Sequence, residues 1–229
     1  RLTKVLRPPA MRVGLVGGTF NPIHFGHLRS AEEVREAQRL DEVWFVPSAT
    51  PPHKSPARLA TAEHRYAMVR RAVTGQPRLR VSRIEIDRGG RSFSVDTLAT
   101  LRQRYPEHRF SFLLGLDAFM DIGTWKDYPR LFTLCDIVVT SRPPHTDVDL
   151  LAAIPVVARG QFCYARARNR LRHASGHRVI FQRISDLAIS ATAIRDLRRR
   201  GRSIRFLVPP AVERYIEEKR LYTRRTNTP

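Results

Sequence analysis

Short apolar, β-prone runs recur along this chain, each followed by a stretch of helical periodicity. That alternation restricts the fold more than any other feature, because strands separated by helix-length segments assemble into a parallel sheet covered on both faces. Arg12–Val16 is β-rich and ends in Gly17-Gly18, and Leu28, Ala31, Val34, Ala37 and Leu40 follow at helical spacing. Val43–Val46 reads as a second strand, closed by the proline-rich PSATPPHKSP. Thr61 caps a helix running through Ala72, with Ala62, Tyr66, Val69 and Val73 toward the core. The alternation in Leu79–Ile86 predicts a third strand, and Ser92 or Ser94 starts a helix carrying Val95, Leu98, Leu101 and Tyr105. Phe110–Gly115 and Cys135–Thr140 are two more buried strands.

Toward the C-terminus, ISATAIRDLRRRG predicts a helix capped by Ser190 and stopped by Gly201. A proline-started helix follows, with Val212, Tyr215, Ile216 and Lys219 at helical spacing. The fold class expected is therefore α/β, a doubly wound parallel sheet with helices on both faces and a small helical part at the C-terminal end. Residues 11–222 form one domain, residues 1–10 a disordered extension or sequence upstream of a start at Met11, and residues 223–229 a tail. The strongly basic Val156–Arg178 has little periodic apolar content and is expected as an exposed loop or solvated helix, with a specific anion or RNA site as the alternative.

Composition excludes several classes. Hydrophobic residues make up 42% of the 229, which suits a globular core rather than disorder. No apolar run reaches the length of a membrane span, and the N-terminal residues lack a signal peptide's apolar core. Two cysteines, Cys135 and Cys163, are too few for a disulfide framework, so a reduced, cytoplasmic setting is expected, with Cys135 a buried inert thiol. The net charge of +20 would attract nucleic acid or small phosphate-rich molecules alike.

In a doubly wound sheet, ligands gather beyond the carboxyl ends of the strands. After the first strand stands GGTFNPIHFGH, which matches neither GxxxxGK[ST] nor GxGxxG. It offers similar physics: Gly17 and Gly18 let the backbone turn and approach a ligand without a Cβ, and a helix beginning near Gly26 aims N–H groups at the same point. His24 and His27 would add donors. As a metal site the pair is poor, because no third ligand is near it in sequence. On the residues alone, a phosphate site and a plain tight turn with two structural histidines both remain open.

The motif GGTFNPIHFGHL, with His24-Phe25-Gly26-His27, resembles the signature of the nucleotidyltransferase superfamily. Its partner signature, ISxTxxR, is matched by Ile189, Ser190, Thr192 and Arg195. Between them, PPHK at Pro51–Lys54, SFSVDTL at Ser92–Leu98, GLD at Gly115–Asp117, Trp125 and SRP at Ser141–Pro143 are similar to bacterial nicotinate-nucleotide adenylyltransferases. So is the closing LVPPAVERYI…LY, and the resemblance runs from Met11 to Tyr222. Asn21 departs from it, standing where the family more often has Asp, and Val156–Arg178 matches nothing in it.

The resemblance implies a Rossmann-like fold and a reaction that joins nicotinate mononucleotide to the AMP part of ATP, giving deamido-NAD and pyrophosphate in NAD biosynthesis. His24 and His27 would donate to the ATP phosphates, His27 at the α-phosphate. Ser190, Thr192 and Arg195 would hold the β- and γ-phosphates, with Gly17, Gly18, Thr19 and Phe20 lining the adenylate side. Trp125 would stack on the pyridine ring, its alternative being an ordinary core tryptophan. Phe93, Ser94 and Thr97 would shape that pocket, Ser94 being otherwise only a helix cap. Gly115 and Asp117 would meet the mononucleotide, Asp117 through a ribose hydroxyl. Lys54 or Arg142 would contact its phosphate, unless each is a solvated surface charge. Mg²⁺ is expected mainly on the ATP phosphates, with no protein metal cage. The partners implied are ATP and nicotinate mononucleotide, with no specific nucleic acid and no membrane. A sister enzyme using nicotinamide mononucleotide or phosphopantetheine is the nearest alternative, and a polyanion-binding protein a remote one.

Overall fold

The computed structural model describes residues 9–51, 59–141, 148–165 and 169–223. The expected extension over 1–10 and the tail over 223–229 lie almost entirely outside them, as do Lys54 and Arg142.

In chain order the elements are β1 (Arg12–Gly18), α1 (Phe25–Ala37), β2 (Glu42–Pro47), α2 (Ala62–Val73), β3 (Leu79–Val81), α3 (Ile84–Arg88), α4 (Ser94–Arg104) and β4 (Arg109–Gly115). They continue with α5 (Leu116–Met120), α6 (Tyr128–Leu134), β5 (Asp136–Ser141), α7 (Leu150–Ala153), β6 (Phe162–Tyr164), β7 (Arg170–His173), β8 (Arg178–Arg183), α8 (Ala191–Arg199) and α9 (Pro210–Glu218). Eight strands form one sheet in the order β3-β2-β1-β4-β5-β8-β7-β6. The first six in that order are parallel; β7 and β6 add an antiparallel edge. This is the doubly wound, Rossmann-like architecture expected.

Strand alternation divides the apolar residues between two cores. Val13, Leu15, Phe112, Leu114, Ile137 and Val139 face one side, where Leu98 and Leu101 of α4 and Leu131 and Phe132 of α6 pack. Val43, Phe45, Leu113 and Val138 face the other, against Val34, Met68, Val69, Ile194, Val212 and Ile216. Successive side chains point to opposite faces, so a strand buried on both sides reads as a continuous apolar run. From β1 the chain builds outward to β2 and β3, then returns to place β4 on the other flank of β1. The crevice beyond β1 and β4 is therefore the switch point where such folds bind ligands.

Three local expectations need correction. Only Leu79–Val81 is a strand; the chain then turns into the short α3, which buries Ile84 and Glu85. On α2 the buried residues are Arg65, Met68, Val69 and Val73, while Ala62 and Tyr66 are only partly covered. The basic segment is neither a loop nor a helix throughout: within its described part, β6 and β7 form a hairpin that extends the sheet, burying Phe162, Leu171 and His173. The C-terminal cap behaves as read, with Ser190 Oγ accepting from Ala193 N (3.1 Å) and Gly201 at φ +66° past the end of α8. No helix of the described residues is long and apolar enough to cross a membrane.

Candidate active site

Beyond the carboxyl ends of β1 and β4 opens a cleft of about 1420 Å³. That exceeds the roughly 300–1,000 Å³ of a pocket for one small ligand and leaves room for two. On one side it is lined by Gly17, Gly18, Thr19, Phe20, His24 and His27, together with Ser190, Thr192 and Arg195. Phe93, Ser94, Gly115, Asp117 and Trp125 line the other. Residues from opposite ends of the sequence are thus brought to one cavity.

The loop after β1 is shaped differently from the sequence expectation. Gly17 and Gly18 belong to the strand, and the left-handed residue that turns the chain is Phe20, at φ 48°. Gly18 is needed for another reason: a Cβ there would meet the Phe20 ring at 3.0 Å. Phe20 is buried, edge-on to both Phe45 and His27. The turn therefore hangs on an aromatic anchor rather than on glycine freedom.

At the start of α1, His24 is the N-cap and His27 sits one turn on. Their rings lie 3.7 Å apart between centroids. His24 N donates to His27 Nδ1 at 3.3 Å, which makes Nδ1 an acceptor and leaves Nε2 as the ring's N–H. His24 is buried (4% exposed), while His27 is only partly covered. The N-terminus of α8 opens on the same cavity through Ser190, Ala191 and Thr192. Two helix N-termini, each with the partial positive charge of its helix dipole, converge there. Arg195 is fixed from two sides, Nη1 donating to the Asn21 carbonyl at 2.8 Å and Nη2 to Thr192 Oγ1 at 3.1 Å. Asn21 is itself buried, its Oδ1 accepting from Ala60 N (3.1 Å) and Tyr222 OH (2.8 Å). The amide oxygen is thus held by two ordinary hydrogen bonds.

On the other side of the cleft, Trp125 is half-buried and stands edge-on to Phe112, so one part of the indole packs and another faces the cavity. Gly115 ends β4 and Asp117 follows it in α5; both are exposed. Phe93 is the N-cap of α4 and Ser94 its first residue, so Ser94 is not the cap. Thr97 does not line the cleft. It is buried, its hydroxyl donating to Glu85 Oε1 at 2.6 Å and accepting from Arg88 Nη2 at 3.1 Å.

Three residues at or under the cleft were not legible as such. Glu85 lines it; burial raises its carboxyl above the ordinary value, against hydrogen bonds from Thr97 and Ser92. Lys126 lines it too, paired with Asp96 at 2.9 Å and lying over the Phe93 ring at 4.9 Å. Arg65 lies behind it, fully buried. Only the adjacency of Lys126 to Trp125 gave any signal. Cys135 is remote from the cleft and buried, which pushes its thiol up to about 12.

No group of three or more His, Cys, Asp or Glu among the described residues is arranged to hold a metal ion. The side of the cleft formed by the loop after β1 and the start of α8 offers histidine, hydroxyl, guanidinium and backbone N–H, with no carboxylate. That donor set suits an anion, and a Mg²⁺ carried by the anion's own oxygens and water.

Residues 15–197 match the Cytidylyltransferase-like family. A relative from Geobacter sulfurreducens, named "Probable nicotinate-nucleotide adenylyltransferase", is 50% identical over 212 residues, covering 93% of this chain and 98% of its own. One of the same name from Geotalea daltonii is also 50% identical, with the same coverage. Among solved structures, the Plasmodium falciparum nicotinic acid mononucleotide adenylyltransferase complexed with NaAD superposes with a TM-score of 0.69 at 19% identity, over 93% of this chain and 97% of that one. A putative nicotinate-nucleotide adenylyltransferase from Vibrio parahaemolyticus superposes at 0.61 and 14% identity, over 93% and 95%. At those identities the structures establish the fold.

Proposed function

The chain belongs to the family of nicotinate-nucleotide adenylyltransferases, within the cytidylyltransferase-like group, and from that premise we propose how its cleft carries the reaction. The enzyme is a nucleotidyltransferase of NAD biosynthesis. Nicotinate mononucleotide and ATP enter the two sides of the cleft. An anionic oxygen of the mononucleotide phosphate attacks the α-phosphorus of ATP; the new P–O–P bond forms as the bond to the β-phosphate oxygen breaks, and pyrophosphate leaves with that electron pair. The nucleophile is already ionised, so no general base is needed. Catalysis lies in alignment and in charge stabilisation around phosphorus.

The observation that carries this reading is the convergence of the α1 and α8 N-termini with His24, His27 and Arg195 on one side of a two-ligand cleft. His27, with Nδ1 occupied by the His24 amide, presents Nε2–H as a donor for the α-phosphate. Ser190, Thr192 and Arg195 hold the departing pyrophosphate, Arg195 being pre-aimed by Asn21 and Thr192. Thr19 and Phe20 meet the adenylate through the backbone. Trp125 takes the pyridine ring on its cavity face, beside Phe93 and Ser94, and Asp117 accepts from the ribose. Lys54 and Arg142 are proposed for the mononucleotide phosphate on the strength of their motifs. The ATP phosphates would carry Mg²⁺, which would supply charge neutralisation there without a carboxylate cage from the described residues. The reduced cytoplasm is the proposed setting.

The test is pyrophosphate release with Mg²⁺ and ATP, offering nicotinate mononucleotide, nicotinamide mononucleotide and phosphopantetheine separately. Release with the nicotinate form alone is expected. Preference for another acceptor would keep the phosphate site and move the acceptor assignment. No release from folded protein would overturn the reaction.

A further inference from the structure

We propose that Arg65 is a positioning residue that fixes the spacing between the adenylate loop after β1 and the acceptor side of the cleft. The inference rests on the two-nucleotide reaction above. Arg65 is 1% exposed and does not line the cavity. Its guanidinium reaches three backbone carbonyls: Nη1 donates to Thr19 at 2.9 Å, Nη2 to Ala49 at 2.9 Å and Nε to Ala60 at 3.0 Å. Thr19 follows β1, Ala49 follows β2, and Ala60 precedes α2. One planar fork therefore joins the exits of two adjacent strands to the helix that carries it.

The connection continues across the cleft. Ala49 N donates to Ser92 Oγ at 2.9 Å, and Ser92 N donates to Thr50 O at 3.0 Å. The Ser92 hydroxyl also hydrogen-bonds the buried Glu85 carboxylate. Ser92 immediately precedes Phe93 and Ser94, which face the acceptor. A continuous path thus runs from Thr19 through Arg65, Ala49 and Ser92 to the start of α4.

The chemistry of the path explains why it needs arginine. Among the described residues Arg65 has no carboxylate within ion-pair distance, so burial lowers its proton affinity with only carbonyl dipoles and the more distant Glu85 and Tyr222 to offset it. A guanidinium stays charged under such conditions and spreads its donors in a rigid plane. A lysine ammonium is a single point and cannot bridge three carbonyls in fixed directions. An in-line attack between two bound nucleotides depends on such spacing, since misplacement by about 1 Å can cost on the order of 10²-fold.

Arg65→Lys separates this role from plain packing. Compared with wild type, kcat/KM is expected to fall at least about tenfold for each nucleotide, with KM for both rising together. Val73→Ala, also buried on α2 but far from these carbonyls, serves as a control: it lowers Tm and keeps both KM values. Folded Arg65→Lys with unchanged constants overturns the inference, as does a loss of Tm alone. Should Arg65→Lys fail to fold, Ser92→Ala cuts the path at its other end. It is expected to raise KM for the mononucleotide severalfold, and unchanged constants there overturn the inference as well. Wild-type protein that makes no deamido-NAD overturns the reaction and this inference together, whereas active wild type with unaffected variants sinks the inference alone.

Discussion

Gly26 offers a perturbation that separates stability from turnover. It is the second residue of α1, buried, with an ordinary helical backbone. A Cβ built there would lie 3.0 Å from His24 Nδ1 and 3.1 Å from Cε1, against an ordinary contact of 3.4 Å or more. The imidazole must yield by a few tenths of an ångström. The ring also lies 3.7 Å from that of His27, tilted by 33°, so the displacement passes to the second histidine. The Gly→Ala change itself favours the helix by roughly 0.4–1 kcal/mol. That offsets much of the crowding, and Tm of Gly26→Ala should stay within a few degrees of wild type. A shift of a few tenths of an ångström at a group contacting the transition state should cost about tenfold in kcat, equivalent to about 1.4 kcal/mol of barrier. Steady-state pyrophosphate release, with a thermal melt on the same sample, measures both. A stable Gly26→Ala protein with wild-type kcat would refute the argument that the packing of these two rings is tuned for chemistry.

His27→Ala should lower turnover at least about a hundredfold with the fold retained, as expected when one donor to a developing phosphate charge is lost; circular dichroism and product formation check it together. Trp125→Ala should raise KM for the mononucleotide more than for ATP, and equal effects would mark the indole as structural. At the other end of the sheet, burial alone would raise the Asp136 carboxyl, but hydrogen bonds from His177 and Arg178 outweigh it and hold it below the ordinary aspartate range. A depressed carboxylate stabilises the fold above its unfolded pKa and loses that contribution as pH falls through the depressed value. Asp136→Asn should therefore cost about 1–2 kcal/mol near pH 7, kept modest because Arg178 is partly exposed, and progressively less below pH 4. Urea titrations at pH 7 and pH 3 give the comparison; an equal loss at both would contradict the linkage.

The parts of the molecule legible from sequence are those whose partners are generic. Val43–Val46 and Cys135–Thr140 need only apolar neighbours, so their runs locate them as strands or strand edges. The motif at His24–His27 and its partner at Ser190–Arg195 are local in sequence, and the fold brings both to the same cleft. Arg65 was hidden because its acceptors are carbonyls of Thr19, Ala49 and Ala60, and no side-chain pattern advertises a carbonyl. Glu85 was hidden for a related reason. Its alternating neighbours mimic a strand, while the hydroxyls of Ser92 and Thr97 that satisfy it come from the next helix and the turn before it. In Arg170–His173 the alternation was present, with Leu171 and His173 inward, but only four residues long and obscured by arginine.

Tyr222 touches Asn21 across 201 positions, and Arg195 reaches the same residue across 174. A ribosome must therefore synthesise almost the whole chain before the loop after the first strand acquires its final contacts. During translation the strand and both histidines exist early, without the guanidinium and the phenol that brace the turn between them. Competence arrives late, so a prematurely terminated polypeptide ending before α8 would carry the full histidine motif in an unbraced loop.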